Sequence, residues 1–243
     1  MDHLYVYETC VTDKILNDNT KFICLDFIDL EEIEKHKHKE VIAFISIQTR
    51  YKMEKLGFNF HINYNPEVYT TKYLISFFND YTLTGDMVLL PYGAILNGFH
   101  GDEFFIRPNA GTKYFPGCTV KYDEFDVFNN TYKIPKDLLC ARSSIIDIVS
   151  EKRVFLSIKE KRIITESLYS HNKYDNSRPD FNVTDICSEI LKVPEIDMLP
   201  DVVVADFALL LDNTVKLVEF NYAMTSGIYG CDMNKIIETY NNT

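Results

Sequence analysis

Along the first 90 residues, short apolar runs alternate with mixed polar segments, the texture of strands and helices taking turns. Lys21 to Phe27 and Val41 to Ile47 predict buried strands, whereas Leu30 to Glu40 and Tyr69 to Asn79 carry helical spacing. From Leu89 onward the pattern becomes strand-rich. Glu103-Phe-Phe-Ile-Arg107 predicts a strand that runs into a loop of turn residues, Pro108 to Gly117. Arg153 to Ile158 and Lys161 to Tyr169 predict a hairpin about Lys159-Glu160. Val183 to Leu191 reads as a short helix with its N-cap near Thr184 or Asp185. Pro200 to Leu211 and Thr214 to Asn221 predict a second hairpin about Asp212-Asn213. The expected class is α/β (α+β) with antiparallel sheets, and a soft boundary falls near residue 90.

The second hairpin carries the most chemistry. With Asp212-Asn213 as a two-residue turn, Leu211 pairs with Thr214, and counting back along both strands sets Asp206 opposite Glu219. A four-residue loop would pair Asp206 with Asn221 instead and keep all three side chains on one face. An odd loop would turn Asp206 to the other face. Two carboxylates directly opposed on apolar strands repel, and burial sharpens the repulsion. Something must compensate them. Three hard oxygen donors on one face suit Mg²⁺; the alternative is a sheet edge whose acids face water.

Composition narrows the function. The chain has 243 residues, 46% hydrophobic and 25% charged, which is ordinary globular usage for one compact unit with two lobes. The net charge of −11 excludes nucleic-acid binding by a basic footprint, so any phosphate must be held by a few placed cations or through metal ions. Six scattered cysteines with no C-x-x-C pair argue against a disulfide scaffold or a cysteine zinc site. No signal peptide and no spanning segment are expected, which points to a cytoplasmic protein without membrane or nucleic-acid partners. His36 and His38 lie two apart in a charged stretch with no third ligand following, and read as a solvated face.

Two cationic places stand out. Arg107 ends an apolar strand just before Asn109-Ala-Gly-Thr-Lys113, where Gly111 permits unusual dihedrals and Lys113 offers a mobile charge. This is either a phosphate cradle or an ordinary hairpin loop. Arg153, in Glu151-Lys-Arg153, is expected opposite Glu166 across the first hairpin. It makes either a plain cross-strand ion pair or a guanidinium aimed at a phosphoryl group.

Taken in series, Phe105-Ile-Arg-Pro-Asn-Ala-Gly-Thr-Lys113, Glu151-Lys-Arg153, Val204-Ala-Asp206 and Val218-Glu-Phe-Asn221 resemble the ATP-grasp superfamily. The tail from Glu219 to Asp232, with Ser226-Gly-Ile-Tyr229 in its turn, is similar to a small divergent clade of bacteria and their viruses. The likeness covers roughly residues 70–240. It implies a two-lobed ATP-grasp-like fold, with an N-terminal α/β lobe over residues 1–90 and the catalytic region over 91–243. It further implies Mg²⁺ ions, two of them, on Asp206, Glu219 and Asn221. Phosphate contacts fall to Arg107, Lys113 and Gly111. Arg153 is placed at the acyl-phosphate step, with Lys152 as the competing candidate, and the adenine-contacting hinge is sought at Ile146 to Ser150. The implied activity is ATP-dependent carboxylate–amine ligation on a peptide, protein or amino acid. The rivals are an inactive interaction module of the same fold and a phosphotransferase acting on a hydroxyl. Neutralising Asp206 or Glu219 is expected to abolish Mg²⁺-dependent ATP consumption with the fold intact or stabilised. Aromatic residues between 114 and 132 line an acceptor surface or, the commoner case, form core. Oligomeric state is left open.

Overall fold

The computed structural model describes residues 3–11, 22–83, 86–98, 103–109, 114–168 and 178–242. Its strands form three four-stranded sheets. β1 (Leu4–Tyr7), β2 (Phe22–Cys24), β3 (Glu40–Phe44) and β4 (Asn59–Phe60) make a parallel sheet in the order β2-β1-β3-β4. Between its last two strands runs α1 (Ile47–Lys55), a helix the sequence pattern does not announce. Its charged composition hides it, and its start is fixed by Ser46, whose hydroxyl accepts from the Thr49 amide at 3.3 Å. The helix predicted over Leu30–Glu40 is a 3-10 segment, Leu30–His36. The one over Tyr69–Asn79 is α2 (Thr71–Phe78), capped by Thr70.

The second sheet is antiparallel and combines β5 (Val88–Pro91), β6 (Glu103–Pro108), β7 (Cys118–Lys121) and β8 (Leu139–Ser143) in the order β5-β8-β6-β7. α3 (Tyr92–Gly98) and α4 (Phe125–Tyr132) accompany it. Phe115, Phe125 and Phe128 belong to its core, with the rings of Phe115 and Phe128 5.2 Å apart edge to face. The phenylalanines of this region are therefore core, the commoner of the two readings, whereas Tyr114 and Tyr132 are exposed.

The third sheet, order β10-β9-β11-β12, holds β9 (Ile148–Ser157), β10 (Arg162–Leu168), β11 (Val202–Leu210) and β12 (Val215–Tyr222). It is covered on both faces, which explains the consecutive apolar residues Val154–Leu156 of β9 and Val202–Ala205 of β11. Phe155, Val202 and Val204 pack with the first sheet and with α6 (Met233–Asn242). Val154, Leu156, Val203, Ala205 and Phe207 pack with α2 and α5 (Thr184–Ile190). Successive residues thus enter different cores, and a single step along β9 changes every neighbour a side chain meets. Among the described residues no helix is long and apolar enough to cross a membrane.

Asp206 does pair with Glu219, but not by the expected turn. The loop has three residues, Leu211 to Asn213, with Leu210 and Thr214 closing it through a 2.9 Å amide–carbonyl bond. That odd loop would carry Asp206 to the wrong face. A bulge at Val218, between the Phe207–Leu217 and Asp206–Glu219 pairs, inserts one residue and restores the facing. The first hairpin also carries a bulge, at Ile164, which moves Arg153 opposite Ser167 rather than Glu166. Asn213 takes a left-handed backbone, φ 66°, and Asp212 accepts from the amide and hydroxyl of Thr214 at 2.9 and 2.7 Å. Asn213→Val is expected to destabilise the protein by about 1–2 kcal/mol. Asn213→Gly should stay within about 0.5 kcal/mol of the parent in urea denaturation.

Candidate nucleotide and metal site

Two antiparallel sheets meet across a cleft of about 410 Å³. β6 contributes Phe105 and Arg107, the segment joining β8 to β9 contributes Ser144 to Ile146, and β9 and β12 contribute Ile148, Glu151 and Glu219. Leu74, Leu83, Met87 and Val218 add apolar lining. A cavity of this size, largely apolar with a few charged groups, is the usual form of a small-molecule site. Of the stretch Ile146 to Ser150, Ile146 and Ile148 line it.

At the charged side, Asp206 stands opposite Arg153 on one neighbouring strand and opposite Glu219 on the other. Arg153 donates Nε to Asp206 Oδ1 at 2.8 Å and Nη2 to Oδ2 at 2.7 Å, a bidentate pair with each side chain only 6% exposed. Nη1 donates to the Gly227 carbonyl at 2.8 Å, and the Tyr229 ring lies 4.8 Å from the guanidinium carbon. Tyr229 adopts φ 51°, rare for a bulky residue, and this backbone belongs to the turn that brings its ring over Arg153. The Ser226-Gly-Ile-Tyr229 motif is thus a clamp on the arginine. Asp232, the acid that follows, accepts from the Asn234 amide at 3.0 Å in the first turn of α6 and does not join the cluster.

Asn221 bridges the two acids, donating Nδ2 to Asp206 Oδ2 at 3.0 Å and to Glu219 Oε1 at 2.9 Å. Arg107 reaches across the cleft and donates to Glu219 Oε2, with the two side chains 15% and 17% exposed. The end of β12 is fixed from behind by the buried Arg50, which donates to the Tyr222 hydroxyl at 2.6 Å while that hydroxyl donates to the Ile62 carbonyl. Glu151, on the Arg153 face of β9, has its carboxyl pushed above the usual range. Burial is the main cause, and Asp206 and Glu219 add to it.

Asp206, Glu219, Asn221, Arg107 and Arg153 are therefore brought together. Lys152 is not. It points to the opposite face of β9, where its ammonium pairs with Glu166 at 2.9 Å and Asp180 at 2.7 Å and lies 5.3 Å from the Phe181 ring. The ion pair expected between Arg153 and Glu166 is thus made by Lys152. Gly111 and Lys113 lie outside the described residues. Sequence reasoning missed Glu151 as a cleft acid, although it opens the Glu-x-Arg motif, and missed the Arg107–Glu219 contact, which joins strands 112 residues apart.

The compensation that the opposed acids require is present in the chain itself, as two arginines. The three side chains also suit a hard divalent cation. A half turn of the Asn221 amide would present Oδ1 where Nδ2 now bridges the acids, giving three converging oxygens. The paired arginines revise the expected effect of neutralisation. Asp206→Asn leaves a buried guanidinium without its counter-charge and is expected to cost about 3–5 kcal/mol. Arg153→Met should cost about as much, and the double variant Arg153→Met/Asp206→Leu should recover most of the loss. Glu219→Gln, whose partner is partly solvated, should cost about 1 kcal/mol or less. Chemical denaturation of the four variants checks this ranking.

An ATP-grasp domain family, the second family of the R-2-K clade, matches residues 91–239, more than half of the chain. Among solved structures, the D-alanine–D-alanine ligase of Helicobacter pylori superposes with a TM-score of 0.56 at 18% identity, over 84% of this chain and 70% of that one. D-alanyl-alanine synthetase A of Vibrio cholerae gives 0.50 at 14% identity, over 84% and 77%. The ATP-grasp ligase PsnB, in complex with precursor peptide PsnA2 and AMPPNP, gives 0.51 at 13% identity, over 72% and 59%, so the chain spans about three fifths of PsnB's length. No curated protein matches the sequence. These likenesses show the fold, and the match over residues 91–239 shows the family: the chain belongs to the ATP-grasp domains, in the second family of the R-2-K clade.

Proposed function

We propose that the protein is an ATP-dependent ligase that joins a carboxylate to an amine through an acyl phosphate. The nucleotide would lie in the cleft between the two antiparallel sheets. The observation that carries this reading is the cleft itself: a cavity with apolar lining whose charged residues are Arg107, Glu151 and Glu219, with Asn221 and Asp206 hydrogen-bonded in series behind Glu219. In the proposed division of labour residues 1–90 form the preceding lobe and 91–243 the catalytic region. Peptides, protein termini and amino acids are the proposed substrates. PsnB with its precursor peptide and the D-alanine ligases offer analogues of the same fold.

In this reading Asp206, Glu219 and Asn221 hold Mg²⁺, two ions with ATP, and the metal supplies neutralisation of the phosphate oxygens. Arg107, now paired with Glu219, would be free to contact a phosphate oxygen if Glu219 held the cation instead. Arg153 keeps Asp206 aimed and, through the Gly227 and Tyr229 clamp, fixes where the positive charge sits as phosphoryl transfer proceeds. The carboxylate oxygen attacks the γ-phosphorus and ADP leaves. The amine then attacks the acyl carbon, phosphate leaves, and the amine loses its proton. Positioning and charge neutralisation supply the rate, because both reactants of the first step are anionic.

One observation favours the inactive-module alternative. Asp206 and Glu219 already have guanidinium partners, so their persistence needs no ion. Turnover separates the readings. With Mg²⁺, ATP and a panel of amino acids and peptides, ADP release is expected to depend on the added amine, and hydroxylamine should trap a hydroxamate. Glu219→Gln, which should keep the fold, is expected to lower the rate by about 100-fold or more. ADP release without hydroxamate would indicate transfer to a hydroxyl. Absence of nucleotide binding in calorimetry would leave an interaction module.

A further inference from the structure

A second cluster of ligand-type side chains lies outside the cleft. His3, Glu40 and His61 bring two imidazoles and a carboxylate together, with their ligating atoms all within 4.8 Å of one another. Nothing in their spacing along the chain announces this, and the sheet register produces it. β1 pairs with β3 so that Leu4 stands opposite Val41, which sets His3, one residue earlier, beside Glu40. β3 pairs with β4 so that Glu40 stands opposite Asn59. His61 follows two residues later and continues the ladder, its amide donating to the Val41 carbonyl at 3.0 Å. Side chains two apart on a strand share a face, so three adjacent parallel strands deliver all three groups to one side of the sheet. His61 Nδ1 lies 2.9 Å from Glu40 Oε2, and the His3 and His61 rings meet edge to face at 4.9 Å.

We propose that His3, Glu40 and His61 bind a single divalent transition-metal ion of the zinc type, which staples β1, β3 and β4 together. The donor set selects that class, because imidazole nitrogens with one carboxylate suit zinc and its neighbours, whereas Mg²⁺ prefers oxygen alone. Donors held about 2.0–2.1 Å from one tetrahedral ion stand roughly 3.4 Å from each other. The His61–Glu40 separation is already close to that value. The widest pair must close by about 1.4 Å at most, a distance that small side-chain rotations cover. The His61 side chain is 13% exposed and Glu40 44%, and His61 also lines a groove of about 380 Å³ beside Asn63 and Asp201. Water therefore reaches the site and can fill the fourth position, as it does where three protein ligands hold zinc.

The test is equilibrium dialysis of the intact chain against Zn²⁺, with reductant present and excess Mg²⁺ to occupy oxygen-only sites. One zinc per chain is expected, together with a rise in the thermal unfolding midpoint. His3→Gln and His61→Gln should each weaken binding by about tenfold or more and remove the thermal response. Glu40→Gln, which spares both imidazoles, keeps the question open to measurement if a histidine variant fails to fold, and should weaken binding too. Co²⁺ in place of Zn²⁺ should give d–d bands without a thiolate charge-transfer band. Failure to retain zinc, equal retention by the variants, or a thiolate band placing the metal on cysteine would each overturn the assignment.

Discussion

The charged side of the cleft depends on one buried ion pair. Arg153 and Asp206 face each other from adjacent strands in the middle of a sheet whose two faces are both packed. Removing both charges from water costs several kcal/mol per ion, and a single contact would not offset that. The compensation is distributed: two bonds between the pair, one to the Gly227 carbonyl, a ring over the guanidinium, and the Asn221 amide on the carboxylate. The pair and its partners come from four stretches of chain, so the pair closes only when β9, β11, β12 and the turn after β12, which supplies both Gly227 and Tyr229, have all assembled. A buried pair of this kind is weak evidence of stability for its own sake. It is a good way to fix a carboxylate in one orientation before any ligand arrives.

Much of this was legible in the sequence, and the reasons for success and failure differ by residue. The Asp206–Glu219 pairing followed from strand alternation and from turn residues at 212 and 213, yet it holds because two departures cancel: an odd loop and a bulge at Val218. Nothing local in Lys216-Leu-Val-Glu219 marks a bulge; it lets Leu217 and Phe220, three residues apart, enter the same core. At Ile164 no second departure compensates, and the expected Arg153–Glu166 pair is lost. Lys152 and Arg153 are adjacent cations with equal claims in the sequence. Which of them faces Asp206 is decided by parity against Phe155 and Val154, information held in the packing of the third sheet rather than in either residue. Contacts across sheets, such as Arg107 with Glu219, or across strands far apart in the chain, such as His3 with His61, join segments whose proximity only the fold sets.

The same alternation explains why the acids survive inside apolar strands. Along β11 every second side chain, at 203, 205 and 207, enters the core built with α2 and α5 and is strictly apolar. The intervening positions, 202, 204 and 206, begin in the other core, and the last of them carries the carboxylate. β12 mirrors this with Phe220 in one core and Glu219 and Asn221 on the cleft side. Polarity changes at one edge of one face while the other face stays uniformly apolar, so the strand remains well anchored where its chemistry is costly.

Charge balance then bears on which form of nucleotide such a cleft would admit. The carboxylates Asp206 and Glu219 are matched by the guanidiniums of Arg153 and Arg107, and Glu151, which also lines the cleft, lies within the electrostatic reach of Arg178 and Arg153. The Glu151 carboxyl is pushed above the usual range chiefly by burial, and the neighbouring Asp206 and Glu219 add to it. A bare nucleotide triphosphate would add more charge of the same sign, and the whole chain, at −11, would not attract it from a distance. A triphosphate whose charge is already offset by divalent cations would meet less of that repulsion. Both acids are held by guanidiniums, and Arg107, the more exposed of the two, is the one whose pairing an incoming anion would disturb at the lower cost.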